Sequence, residues 1–549
     1  MRVTSSQCEI FMKTPFRLIV LAWCSIVLAH PSVVQANSIK TSTTLTYCSE
    51  GSPDFFAPSI STTSTSHDAM RPIYNRLVRH LRGSTRLVPS LAEHWDISRD
   101  GLEYIFYLQQ GVQWHSNPDF QPTRYFNADD VIFMIERQWK PDHPFHRVSS
   151  ANHAFFQSAG LEKLIKSVEK IDNYTVRIRL NEANASFLFN FALGFTGIQS
   201  HEYAMAALKQ GRPTLLDTQP IGTGPFTFVG YEKDKRIRYR VFNDYWEGRA
   251  QVQDLEFLIV PNAADRWKKI QSGECHVMAF PNTNDLKAME AHPEVSVLQM
   301  PGVNVSYWAF NLRKPPFNDV RVRKALSMAV NRAALLEQVY QGTAVKAVSL
   351  IPPTMWSHNE SLVDDPYDPQ AARELLAQAG YPDGFSTDLW AMSTARGYNP
   401  NPALTAQLIQ ADLAKIGVKA EIKTVPWAEY GRRMRNGEHE TGLLGWTGSH
   451  GDPDYFFFNL LTCETADNGG ANVSKFCNQA YDGLVTQARR IANPAQRIPL
   501  YEQAQRIFKQ QAPWLPLSHS TQTWVHRQEV RNFRMSPFGG LDFYGVELK

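Results

Sequence analysis

The chain has 549 residues, 43% of them hydrophobic and 20% charged, with a formal net charge of +3. That length exceeds what one hydrophobic core supports and predicts at least two lobes. A near-neutral balance without a basic run argues against nucleic acid as a partner.

The chain opens on a targeting segment. Lys13 and Arg17 flank the start of an apolar run at residues 18–28, and Val34, Gln35 and Ala36 form a cleavage site. This is the pattern of a secretory signal peptide over residues 1–36, too short to span a bilayer. Met12 is an alternative start. Cys24 sits in a weak lipoprotein-like box, but the bulky Trp23 before it argues against lipidation. No other apolar run is long enough to cross a membrane, so an exported, soluble protein is expected.

Removing residues 1–36 removes Cys8 and Cys24 and leaves Cys48, Cys275, Cys463 and Cys477. An even number in an oxidising compartment suggests two disulfides, for which three pairings are open. Cys463 with Cys477 would close a short loop over the turn-forming DNGG at 467–470; Cys48 with Cys275 would then be a long-range staple. A zinc site is the rival, but no CxxC pair supports it.

In chain order, residues 59–66 read as a polar loop. Its Thr62, Thr63 and Ser64 offer hydroxyls to a ligand's main chain, or simply form a flexible serine/threonine loop. YIFYL at 104–108 and TVRIRL at 175–180 alternate apolar and polar, as half-buried strands do. Asn127 caps a helix with Asp129 and Asp130 in its first turn and Val131, Ile132 and Ile135 on its apolar face. Residues 318–330 begin another helix. Asp368 caps a third, with Pro369 at its first position and Gly380 at its end. A strand at 386–392, a helix at 402–416 and a strand at 419–424 follow, the βα alternation of a parallel sheet. The first 300 residues are richer in strands and turns, so two unlike α/β lobes are expected.

The stretch GWTGSHGDPD at 445–454 follows the apolar run 441–446. In α/β sheets, ligands sit outside the carboxyl ends of strands, and this loop is such a place. Gly445, Trp446 and Thr447 would wall a polar ligand. His450, Asp452 and Asp454 are close enough to suggest metal binding or acid/base chemistry, or they cap and turn the chain. HExxH, GxSxG and Walker patterns are all missing from the sequence, so a metal-dependent hydrolase is the remote reading. No catalytic residue, metal or cofactor is expected. An adhesive protein finds no repeats to support it.

Several segments resemble the periplasmic peptide-binding proteins of ABC importers, part of a peptide/nickel/haem-type solute-binding family. They are the run 87–108, FNADDV at 126–131, IGTGPF at 221–226 and VRVRKAL at 320–326. The match runs in order over nearly the whole chain after the signal segment. TYCSEGSP at 46–53, GEC at 273–275, LIPPTMW at 350–356 and LWAM at 389–392 look like its dipeptide-binding branch. The resemblance implies Cys48–Cys275 and Cys463–Cys477 disulfides. It implies a two-lobed α/β clamp with mixed sheets: residues 37–300 plus 520–549 with an extra subdomain in one lobe, 301–519 in the other, and two hinge crossings between them. It also implies a short-peptide ligand, delivery to an inner-membrane permease, a periplasmic location and a monomer.

In the dipeptide branch an Arg pairs with the ligand carboxylate and an Asp with its ammonium. The resemblance places Arg396 as the first, while Ser449 stands where the Asp is expected. Either Asp452 or His450 compensates, or the ligand lacks a free ammonium: a longer or modified peptide, a glutathione-like molecule, or haem. Tyr398 and Trp427 would line side-chain pockets or pack the core.

Overall fold

Alternating burial sets the strands of a small antiparallel sheet. Its order is Ala92–Ile97, Glu103–Leu108, Thr175–Leu180, Ile165–Asp172. Tyr104, Phe106 and Leu108 point into a core shared with Val176, Ile178 and Leu180. On the solvent face Glu103 lies opposite Arg179, whose Nε donates to it at 3.0 Å. The helix Ala128–Trp139 covers this core. As expected, Asn127 caps it, and Asp130 completes a reciprocal capping box. Val131 and Ile135 are buried; Ile132 is half-buried.

The computed structural model describes residues 44–549, apart from positions 54, 62, 151–152, 394 and 468–469. The signal segment with Cys8 and Cys24, and the candidate Thr62, lie outside the described residues.

A twelve-stranded mixed sheet is organised by one long strand, Trp514–Arg527. The early part of that strand pairs with Asn304–Phe310, and its later part with Val277–Ala279 and Val295–Pro301. Outward from the early part the order is Asn304–Phe310, Thr441–Thr447, Ser386–Met392, Lys419–Val425. From the later part it runs Val277–Ala279, Thr44–Ser49, Asp254–Ile259, Arg236–Val241, Phe226–Glu232. Ser386–Met392 and Lys419–Val425 are parallel, with the helix Pro402–Ala414 crossing between them, as the alternation implied. Thr441–Thr447 joins them in parallel. Asn304–Phe310 is antiparallel to it, so the sheet is mixed, as the resemblance implied, although the βα alternation of this half alone suggested a parallel one. The reason is connectivity: only Gly302 and Val303 separate Val295–Pro301 from Asn304–Phe310, and both pair antiparallel with Trp514–Arg527.

Separate hydrophobic cores flank the organising strand. One spans residues 303–517 around Trp308, Leu443 and Phe457. Another packs Leu45, Phe257 and Trp524 under the tail residues Leu541, Phe543 and Val546. The result is a two-lobed α/β protein with mixed sheets. Asp368 caps its helix through Ala371 N–H at 3.0 Å, and Gly380 follows at φ +97°, a conformation that favours glycine. Cys48 is bonded to Cys275 and Cys463 to Cys477, the pairing that the resemblance implied. Among the described residues no helix is long and apolar enough to cross a membrane.

Candidate binding cavity

The strand Thr441–Thr447 must turn sharply to enter the helix Asp454–Leu461. Glycine permits it. Gly448 N–H donates to the Val303 carbonyl at 2.6 Å, and a Cβ there would lie 2.6 Å from the Val303 side chain. Gly445 lies under the ring of Tyr398, where a Cβ would come within 2.2 Å of a ring carbon. Tyr398 belongs to the loop after Ser386–Met392, and its carbonyl accepts from the Tyr340 hydroxyl at 2.9 Å. In the same loop Arg396 and Asn399 exchange backbone hydrogen bonds at 2.8 and 2.9 Å. Both loops therefore open at the carboxyl ends of neighbouring parallel strands, where α/β sheets bind ligands.

A cavity of about 590 Å³ lies against these loops. Arg396, Tyr398, Gly445, Trp446, Thr447 and Ser449 all line it, as does Ser64 from across the cavity. The Trp446 indole N–H is buried and has no acceptor among the described residues. Ser449 Oγ donates to the Tyr455 hydroxyl at 3.0 Å. Trp427 opens the helix Trp427–Arg435, but its side chain lies outside the described residues.

Two expectations need correction. The last three residues of the supposed polar loop, 64–66, begin a helix, Ser64–Met70. Thr63 is its cap rather than a cavity residue, its Oγ1 accepting from Ser66 N–H at 3.1 Å. Asp452 does not line the cavity. Its carboxylate is buried and accepts from both terminal nitrogens of Arg497 at 2.6 Å. Asp452 also caps the next helix turn through Asp454 N–H at 2.9 Å, and its own backbone N–H donates to His450 Nδ1 at 3.2 Å. His450 is buried between the rings of Phe189 and Tyr455. Asp454 is buried beside Arg489 and accepts from the Ser186 hydroxyl. The three side chains thus brace the loop. Among the described residues no group of three or more His, Cys, Asp or Glu could hold a metal ion.

Residues of the short helix were missed as cavity residues. His67, Asp68 and Arg71 line the same cavity as Arg396. The Asp68 carboxylate accepts from Arg71 Nε at 3.0 Å and from Leu541 N–H at 3.1 Å. Burial pushes its pKa up to about 6, with Arg71 and the Leu541 amide opposing. Burial, then Arg71 and Arg76, pull His67 down to about 3, so its imidazole is neutral. A hydroxyl cap at Thr63 followed by the i,i+3 pair Asp68–Arg71 was the signal in the sequence. Burial also lowers the Arg396 pKa and raises that of Tyr398.

The cavity combines aromatic walls (Tyr398, Trp446, Phe155, Phe195, Phe538) with a few polar groups. Such walls suit a small ligand carrying both apolar and carboxylate groups.

Residues 86–468 match the family model of bacterial extracellular solute-binding proteins, family 5, middle region. The chain is 46% identical over 507 residues to the dipeptide-binding protein of Escherichia coli (strain K12), covering 92% of this chain and 95% of that protein. It is 44% identical over 522 residues to heme-binding protein A of Haemophilus influenzae, covering 95% of each. Among solved structures it is similar to the dipeptide-binding protein of Pseudoalteromonas sp. SM9913 in complex with Met-Leu. The TM-score is 0.80 at 36% identity, over 92% of this chain and 100% of that one.

Proposed function

Because this chain belongs to the bacterial extracellular solute-binding proteins of family 5, we propose that it captures short, dipeptide-like ligands between its lobes and delivers them to the permease of an ABC importer. In this reading residues 1–36 are removed on export and the protein works in the periplasm as a monomer, binding without chemistry. In the same reading residues 37–300 with 520–549 make one lobe and 301–519 the other. The hinge is at the two crossings, next to Gly302 and within Trp514–Arg527.

The observation that carries the reading is the cavity at the strand ends, with Arg396 on its wall beside Tyr398 and Trp446. A peptide carboxylate entering a dry cleft must be compensated, since an unpaired buried charge is costly. Arg396 supplies that charge in a geometry suited to two parallel hydrogen bonds. The Trp446 indole N–H supplies a donor, and Ser64, Thr447 and Ser449 hydroxyls can meet the ligand main chain. Relatives named for dipeptides support the ligand class.

A second reading rests on Ser449. It offers a hydroxyl where a carboxylate would hold a peptide ammonium, and one relative is named for heme. Ligands without that ammonium, such as modified or longer peptides, glutathione-like molecules or haem, fit this feature.

Calorimetric titration of ligand-stripped protein with dipeptides, alongside native mass spectrometry of what copurifies, tests both. Saturable one-to-one peptide binding with compaction in small-angle scattering is expected. Absence of any peptide binding, or turnover of the bound molecule, would overturn the proposal.

A further inference from the structure

Beyond Ser449 the structure holds a smaller cavity of about 150 Å³, and Ser449, Arg71 and Phe538 border both spaces. Five arginines line it: Arg71, Arg76, Arg79, Arg82 and Arg534. Three have a carboxylate beside them. Arg71 meets Asp68 at 3.0 Å, Arg79 forms a two-pronged pair with Glu247, and Arg82 lies 3.6 Å from Asp542. Arg76 and Arg534 have no ion pair among the described residues, and Arg76 Nε is buried without any hydrogen-bond partner. Among the described residues Asp542 is the only carboxylate in the lining. His80, also in the lining, packs on Phe538 at 4.5 Å and is held neutral, its pKa pulled to about 3 by burial, then by His450 and the nearby arginines.

Arg76 is half-buried, and a guanidinium nitrogen sealed from solvent without a hydrogen-bond partner is costly to keep. Burial and the neighbouring Arg71 pull the Arg76 pKa down to about 9, and the carboxylates of Asp542 and Asp68 do not restore it.

We propose that this annex is an anion subsite, in which Arg76, helped by Arg534, takes a second negatively charged group of the ligand, in addition to the carboxylate at Arg396. The inference rests on the peptide-binding reading and narrows it: the preferred ligands are peptide-like molecules with an extra carboxylate. Ser449 fits this arrangement. Its neutral hydroxyl at the junction adds no further negative charge to oppose the arginines, whereas an acid there would neutralise part of their field.

The test is calorimetric titration with four dipeptides: Glu-Ala, Ala-Glu and their amide counterparts Gln-Ala and Ala-Gln. Charge-assisted pairing predicts that at least one acidic peptide binds about ten- to a hundredfold more tightly than its amide counterpart. Arg76→Gln should bring that ratio close to one while leaving the affinity for the amide peptide within about twofold. Equal affinities for acid and amide peptides in the native protein would overturn the annex while leaving the peptide reading intact. So would a ratio that survives Arg76→Gln. Should Arg76→Gln fail to fold by circular dichroism, Arg534→Gln, at an exposed position, takes its place and should reduce the ratio at least twofold. An unchanged ratio there overturns the proposal. If none of the four peptides binds, the peptide reading falls and the inference falls with it.

Discussion

Arg497 grips both carboxylate oxygens of Asp452 at 2.6 Å, with 2% of the arginine side chain and none of the aspartate side chain exposed. The Tyr501 hydroxyl accepts from the same guanidinium at 2.7 Å. Burial lowers the Arg497 pKa, but Asp452 and Tyr501 outweigh it, and the net shift is upward. Breaking one side of a buried pair strands the other charge. Asp452→Ala should therefore cost roughly 3–5 kcal/mol of stability. The double variant Asp452→Leu with Arg497→Met should cost much less than the single change. Urea unfolding of the three proteins decides. A single variant as stable as the native chain would mean the pair does not brace the loop.

Arg396→Ala should weaken binding of a carboxylate-bearing peptide by roughly 2–5 kcal/mol, since it removes one partner of a buried charge pair. At 1.4 kcal/mol per decade that is about one and a half to three and a half decades in Kd. The amidated peptide should lose far less. Calorimetric titration with both forms is the check, and equal losses for both would remove Arg396 from the carboxylate role.

Ser449→Asp should raise affinity for free dipeptides and lower it for their N-acetylated forms. The new carboxylate can accept from the Tyr455 hydroxyl, so the loop is expected to tolerate it. A ligand without an ammonium would leave that charge buried unpaired. The readout is the ratio of the two affinities. If it stays at its native value, the loop does not face the ligand's amino end.

His450 couples the same loop to pH. Burial, with Arg497 adding and Asp452 opposing, holds its pKa down at about 4. In the unfolded chain a histidine titrates near ~6.5. Between those values the unfolded state binds the proton first, so stability is lost as pH falls from about 6.5 towards about 4. One such group contributes a slope of up to about 1.4 kcal/mol per pH unit. His115 and His519, also buried, are lowered to about 4 and act in the same sense. His450→Gln should reduce the slope by as much as one proton's worth. Urea unfolding at several pH values between 7 and 4.5 measures it, and an unchanged slope would show that His450 is not held neutral.

What the chain declared early was what depends on neighbours in sequence. Asn127 and Asp368 cap helices because their side chains reach amides two or three residues ahead, and strand 386–392 shows itself by composition. The strand-end location of the candidate cavity followed from the βα alternation. The capping role of Asp452 was legible, since its carboxylate accepts from an amide two residues on, but its ion pair was not, because that partner lies 45 residues away, on a helix that no local pattern connects to the loop. Asp68 and Arg71 were overlooked because STSHDAM has the composition of a loop, and only the Thr63 cap with burial of Ala69 and Met70 makes it a helix. The antiparallel placement of Asn304–Phe310 depends on a strand more than 200 residues later, beyond the reach of periodicity.

The bond between Cys48 and Cys275 makes everything between them a closed ring, with a sequence separation of 227. The small antiparallel sheet, the Ser64–Met70 helix and all the arginines of the annex except Arg534 lie on that ring. A single proteolytic nick anywhere in it would release no fragment: both new ends would stay tethered until a reductant opened the bond. Closing a loop of that length removes chain entropy worth about 5 kcal/mol from the unfolded state. Asp68 and Arg71 of the cavity and Arg76 of the annex are in this sense insured against cleavage, whereas Arg396 and Ser449 lie on open chain, where one cut severs the connection.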